Sequence, residues 1–221
     1  MGLREQKKQL TRESIADAAL QLTIEKGLAN VTTDDIARVA FVSPRTVTNY
    51  FSCKEEAVVA AGSDNADALL QQFAEAPEGE PPSRVLRSLL TAFVSTRTPE
   101  QLERSVQQIT LLQDNPSLRP FQLAHYDQLE DALRSSIAER TGTDLDTALY
   151  PWLLAAATIS AAKAAMRLCA RSGGGIERLT ELIDAAFDQI DRGLLTPATD
   201  RAHPKGASAP STVVPRRRSA D

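Results

Sequence analysis

The side chains with the most specific chemistry to offer stand in one short segment, SPRTVTNYF, which spans residues 43–51. Ser before Pro is a strong helix start, because the hydroxyl caps free N–H groups and the ring presets φ at the first helical position. On the helix that follows, Pro44, Arg45, Thr48 and Asn49 point outward, Thr46 lies near the N-terminal end and Val47 points inward. Arg can bond guanine bidentately and Asn can bond adenine, so this face suits the major groove of a duplex. It carries no Asp or Glu, as an anionic groove requires. A solvated face on an ordinary helical hairpin is the competing reading.

The remaining inventory holds little other chemistry. The two histidines are His125 and His203, and no metal-ligand spacing, nucleophile elbow or phosphate loop occurs. Gly173-Gly174-Gly175 lacks the strand before it that a phosphate loop needs, and reads as a helix connector. No metal, cofactor or enzymatic activity is expected. The two cysteines, Cys53 and Cys169, are too few for a disulfide framework or a four-cysteine zinc site. Cys53 precedes Lys54 near a helix N-terminus, which favours thiolate. A thiol redox switch through Cys53 is therefore an alternative function.

The elements that must hold these residues are helical. Aromatics make up 5% of the chain while Ala, Leu, Glu, Gln and Arg abound, which disfavours an all-β fold. The first helix runs from about Thr11 to Lys26, with Ile15, Ala18, Ala19 and Leu22 on one face and Gly27 as its stop. The second begins at Thr32, with Asp35 three residues on as its capping partner. The third covers Pro44 to about Phe51. Ser52 and Glu55 form the capping box of a fourth, which continues to about Ala76. Five more helices follow at about 82–96, 99–114, 117–141, 145–171 and 176–194, about nine in all. Two short helices joined by a three- to four-residue turn form a helix-turn-helix at residues 32–51, and three helix N-termini near it can receive phosphates.

Charge divides the chain. Residues 1–60 are net 0, residues 61–196 net −7 and residues 197–221 net +3. An acidic whole argues against coating nucleic acid non-specifically, but leaves room for a local reading surface. The N-terminus has no apolar run of a secretory signal, Gln6 stands where myristoylation wants Ser or Thr, and the longest apolar stretch, Trp152 to Ala162, is shorter than a membrane span. No membrane association and a cytoplasmic location are expected.

The run TTDDIARVAFVSPRTVTNYFSCKEEAV, Thr32 to Val58, resembles the TetR/AcrR transcriptional regulators. Thr32, Ile36, Ala37, Val42, Ser43, Thr46, Val47, Tyr50, Phe51 and Lys54 carry the likeness, with Glu25-Lys26-Gly27 upstream. It covers about residues 9–60. Two positions depart from the pattern: Phe41 stands where the turn usually has Gly, and Thr48 replaces an aromatic. The resemblance implies an all-α protein with an N-terminal helix-turn-helix, three-helix head and a C-terminal helical regulatory body. It divides the chain into a flexible basic arm (1–10), a DNA-binding domain (11–60), a ligand-binding and dimerisation domain (61–196) and a disordered basic tail (197–221).

It also implies roles. Thr32, Tyr50 and Lys54 would contact phosphates, Arg45, Thr46 and Asn49 would read bases, and Phe51 would plug the head core. The partners would be a double-stranded DNA operator, a second copy of the chain and a small-molecule inducer. The function would be sequence-specific transcription regulation by a ligand-released repressor. The apolar candidates for lining an inducer site are Phe93, Leu112, Phe121, Tyr126, Trp152 and Met166, with His125 and Arg167 as sources of polarity. The last two helices would form the dimer interface through Leu179, Ile183, Phe187 and Ile190. The form Thr48-Asn49-Tyr50-Phe51 is similar to the mycofactocin-regulator branch, which implies an acyl-CoA ligand. The rival to all of this is a helical ligand-binding or adaptor protein without an operator.

Overall fold

Helix-forming segments punctuated by caps fold as the composition dictates. The structure, a computed structural model, describes residues 2–62 and 64–194. Among the described residues there are ten α-helices and no strand: α1 (Leu3–Lys26), α2 (Thr33–Val39), α3 (Pro44–Tyr50), α4 (Lys54–Ala60), α5 (Asp64–Glu75), α6 (Pro82–Ser95), α7 (Pro99–Asp114), α8 (Arg119–Thr141), α9 (Leu149–Ser172) and α10 (Ile176–Asp191). Short 3₁₀ turns occupy Leu28–Asn30 and Pro116–Leu118.

Three boundaries differ from the sequence expectation. α1 starts at Leu3, so most of the expected basic arm is helix. The run LREQKKQL contains only strong helix formers, and nothing in it stops the helix from extending upstream. The expected fourth helix is two helices, α4 and α5. Gly62 lies between them at φ 82, a conformation a right-handed helix cannot pass through. The box that opens α4 also differs: the Ser52 N–H and hydroxyl both donate to Glu56 rather than Glu55, at 2.7 Å each. Finally, α9 starts at Leu149. The Asp144 carboxylate accepts from the N–H groups of Asp146 and Thr147 and holds that stretch as a turn, while Pro151 falls in the first helical turn, where it is tolerated. The tail expected at 197–221, with Arg216-Arg217-Arg218, lies outside the described residues.

Two apolar cores hold the helices. The first gathers Ile15, Ala19 and Leu22 of α1, Ile36 and Ala37 of α2, Val47, Phe51, and Ala57 and Val58 of α4, and takes in Leu112 and Leu118 from the body side. The second joins Phe73 of α5, Val85 and Leu86 of α6, Leu133 and Ile137 of α8, Leu154 to Cys169 of α9, and Leu179, Ile183 and Phe187 of α10. α9 is the central helix of the body, packed against α8 and α10. It exceeds the apolar stretch expected from sequence, being long and apolar enough to cross a membrane by length and composition. In the fold, Leu154, Ala155, Ala161 and Ala165 are instead buried against neighbouring helices.

Candidate functional site

The reading helix is fixed at both ends. At its start the Ser43 hydroxyl accepts from the Thr46 N–H at 3.0 Å, and Pro44 occupies the first turn. At its end Phe51 is 2% exposed in the head core, the plug expected of it. Val47 is buried between, so the opposite face must point outward. On that face Arg45 and Asn49 are exposed, and among the described residues neither side chain is held by a hydrogen bond. Thr46 is half-buried with its hydroxyl 2.8 Å from that of Ser43, so it serves the cap first. The Thr48 hydroxyl donates to the Arg45 carbonyl. Tyr50 is half-buried against the head core.

The turn before this helix carries strain. Phe41 has φ 55, in the left-handed region, and its ring is 94% exposed. The departure from Gly is thus met by strain rather than by a reshaped turn, and no burial of the ring offsets it.

Thr32 caps α2 by the expected box with Asp35: the Asp35 N–H donates to the Thr32 hydroxyl at 3.1 Å and the Thr32 N–H to the Asp35 carboxylate at 3.2 Å. Asp35 does more than cap. It also accepts from Lys26 and Arg38, each at 2.8 Å. Lys26, then Thr32 and Arg38, hold its carboxyl far below the usual carboxylate range. The cap is local in sequence; the hub is not, since a Lys nine residues upstream does not announce it.

Lys54 departs from its expected role. Its ammonium donates to the carbonyls of Leu28 at 2.8 Å and Val31 at 2.9 Å, closing the turn between α1 and α2 onto α4. Two of its three donors are spent inside the head. Cys53 is half-buried at the start of α4 without capping it.

The head is tied to the body through α7. Gln108 donates to the carbonyls of Val58 and Ala61, at 3.3 and 3.1 Å, at the end of α4. Arg104 reaches the carbonyl and the carboxylate of Asp17 on α1.

The body holds a cavity of about 200 Å³ walled by α5, α6, α8 and α9. Of the six lining residues expected, it contains only Tyr126. Leu112 and Phe121 belong to the head core instead, and Phe93 and Met166 pack on the body core. Trp152 is 43% exposed beneath the Arg134 guanidinium, 3.7 Å from its ring centroid. Nor do His125 and Arg167 line it. His125 faces a separate hollow with Arg12 and Phe121, where burial first and the Arg12 charge second lower its pKa. The wall comes instead from leucines of α5 and α6 at helical spacing, including Leu69, Leu70, Leu86 and Leu90, with Thr158 and Lys163 from α9. The available signal was Lys163, the one charge between Leu149 and Met166.

The expected dimer residues also face inward. Leu179, Ile183 and Phe187 are 1–3% exposed in their own body core, and Ile190 packs against it. A period of three and four marks a buried face but not what buries it. α9 leaves an apolar stripe open: Leu149, Leu153 and Leu168 are 68%, 59% and 52% exposed, along one side of the helix with Ser160 and Ala164.

A family model described as the MftR C-terminal domain matches residues 80–195, and one described as bacterial regulatory proteins, tetR family, matches residues 15–61. The chain is 27% identical over 195 residues to the HTH-type transcriptional regulator TcmR of Streptomyces glaucescens, covering 86% of each chain. It is 28% identical over 188 residues to MftR of Mycobacterium tuberculosis, named for transcriptional regulation of mycofactocin biosynthesis, covering 83% of this chain and 91% of that one. Among solved structures, a TetR-family regulator from Rhodococcus sp. matches at a TM-score of 0.55 and 18% identity, over 83% of this chain and 98% of that one. Thermus thermophilus FadR, a TetR-family repressor in complex with lauroyl-CoA, matches at 0.50 and 21%, over 91% and 100%.

Proposed function

The chain belongs to the TetR family of bacterial regulatory proteins and is a helix-turn-helix DNA-binding transcription regulator, and from that premise we propose that it is a repressor that leaves its operator when a small molecule enters the body cavity. The observation that carries the reading surface is the pair Arg45 and Asn49, exposed on a helix whose two ends are fixed and whose other face is buried. Arg45 and Asn49 read base edges; Thr46 adds a contact from the helix start. Thr32 and Tyr50 stand beside them as phosphate contacts. An apolar inducer, of which the tail of an acyl-CoA is one form, fits the leucine-rich wall of the cavity.

A palindromic operator needs two heads about one helical turn apart. The open stripe of α9 supplies a self-complementary surface for a twofold homodimer, in place of the inward residues of α10. A regulator of chromosomal DNA works in the cytoplasm.

The test is fluorescence anisotropy on duplexes tiled from DNA flanking the chain's own gene, against scrambled duplexes, at two salt concentrations. Binding to one tile that survives higher salt is expected, and Arg45→Ala should cost that tile roughly 1–3 kcal/mol while sparing the scrambled ones. Weak, equal binding to every tile that vanishes with salt would leave only phosphate attraction and would favour a protein without an operator.

A further inference from the structure

Phe41 carries two costs that nothing in the free chain offsets. Its φ of 55 lies in the left-handed region, where a Cβ is disfavoured. Its ring is 94% exposed, so a large apolar surface stays in water. Gly in the same place would remove both costs. Strain retained at one residue points to a use outside the free fold.

The backbone beneath the ring is fixed. The Val42 N–H donates to the Ala37 carbonyl at 2.9 Å and the Phe41 N–H to the Arg38 carbonyl at 3.4 Å. These are the paired bonds that close a helix end around a left-handed residue. On either side the chain turns inward: Ala40 is buried and Val42 packs on the head core. Phe41 therefore faces away from that core. Val47 of α3 points into the same core, so Arg45 and Asn49 face away from it as well. The ring and the reading face share the outer side of the head. Pro44 begins α3 three residues after Phe41, within about 10 Å of it at full extension. The ring thus stands at the N-terminal end of the reading helix, whose first residues meet base edges in the major groove.

Chemistry selects the partner. Phosphates seek donors, which a Phe side chain lacks. Among the base edges of the major groove, an apolar ring suits the C5-methyl group of thymine. The exposed residues nearest in sequence, Arg38, Ser43 and Arg45, are polar and two of them are cations. A lone ring among cations fits nucleic acid rather than the apolar patch of a protein partner.

We propose that Phe41 is a specificity residue of the DNA interface, its ring packing on a thymine methyl beside the base pair that Arg45 reads. This rests on the operator reading above. It adds a base preference that Gly at this turn could not supply.

The test is a thymine-to-uracil scan of the operator tile, read by fluorescence anisotropy with wild type, Phe41→Ala and Phe41→Gly. Uracil removes the methyl and keeps every hydrogen-bonding edge of the base. At one or more thymines it should weaken wild type about fourfold, the worth of one buried methyl, and leave Phe41→Ala unaffected. The double-mutant cycle isolates that pair. Phe41→Gly should melt above Phe41→Ala and still bind the tile more weakly than wild type. A merely structural role would instead make affinity follow melting temperature. The proposal is overturned by uracil that costs wild type and Phe41→Ala alike at every thymine, or by Phe41→Gly that binds with wild-type affinity. A flat scan on wild type overturns it with no variant needed. A chain that binds no tile specifically fails the operator reading and this inference together, whereas a specific tile with a flat scan fails this inference alone.

Discussion

Replacing Lys54 by Met keeps the aliphatic stem and removes the ammonium that closes the α1–α2 turn onto α4. Two charge-assisted hydrogen bonds are lost, to the Leu28 and Val31 carbonyls. Such bonds contribute roughly 1.5–3 kcal/mol each when the charged partner is well placed. Both come from one half-buried group whose acceptors can turn partly to water, so about 2–3 kcal/mol for the pair is the expected loss. For a chain of this size a loss of 1 kcal/mol lowers Tm by roughly 2–4 °C, which makes the expected drop about 5–10 °C. Circular dichroism melts of wild type and Lys54→Met read it directly. Anisotropy across a salt series then reads the other role: a phosphate contact would lower the salt slope by about 0.9. A variant that melts with wild type but loses about one unit of slope would refute the structural assignment and restore Lys54 to the DNA interface.

Three further outcomes follow from geometry. Phe41→Gly should be more stable than Phe41→Ala by about 0.5–1 kcal/mol, since Gly occupies the left-handed region without the roughly 1–2 kcal/mol a Cβ costs there and its added freedom in the unfolded chain returns part of the gain; urea melts in which Gly is no better than Ala would contradict the strain. The depressed pKa of Asp35 means its network stabilises the head fully above the unfolded carboxyl value near 3.9 and loses that contribution as pH falls below it. The Tm gap between wild type and Asp35→Asn should accordingly stay level from pH 7 to 5 and shrink steadily below about 4, and a gap undiminished at pH 2 would count against the hub. Thr158 carries a buried hydroxyl with no hydrogen-bond partner, so Thr158→Val should stabilise the chain by about 1 kcal/mol. A loss of similar size would show that the hydroxyl is in use.

What was legible from sequence was local. Caps at Thr32 and Ser43, the stop at Gly27 and the inward turn of Val47 are decided within a few residues, and each stands as read. What was not legible depends on partners distant in sequence. Lys54 looks like any exposed Lys until Leu28 and Val31 are brought to it. Ile183 and Phe187 form a clean apolar stripe, but whether α9 of the same chain or of a second copy covers it is not written in the period. Aromatic side chains do not mark the cavity. Its wall is aliphatic, and the aromatics Phe93 and Phe121 pack solidly elsewhere.

The split between α4 and α5 bears on how a filled cavity can reach the DNA face. α5 contributes Leu69, Leu70 and Phe73 to the cavity wall, while α4 contributes Ala57 and Val58 to the head core. A continuous helix would carry any tilt of one directly into the other. Here Gly62 at φ 82 takes the backbone off the helical path between them, so α5 and α4 are not one rigid rod. Two routes remain: the packing of α8, itself part of the cavity wall, on α4, and the tie at the end of α4, where Gln108 of α7 holds the Val58 and Ala61 carbonyls. Since Arg104, one turn earlier on α7, holds Asp17 of α1, that helix grips two of the four head helices at once. Gln108→Leu removes the grip on α4 and leaves both packing cores intact. If the tie carries the signal, this variant should bind its operator as tightly as wild type while losing most of the inducer's effect on that affinity. An unchanged response would mean that the signal passes instead through α8, which packs on α4, or from α5 across the Gly62 break.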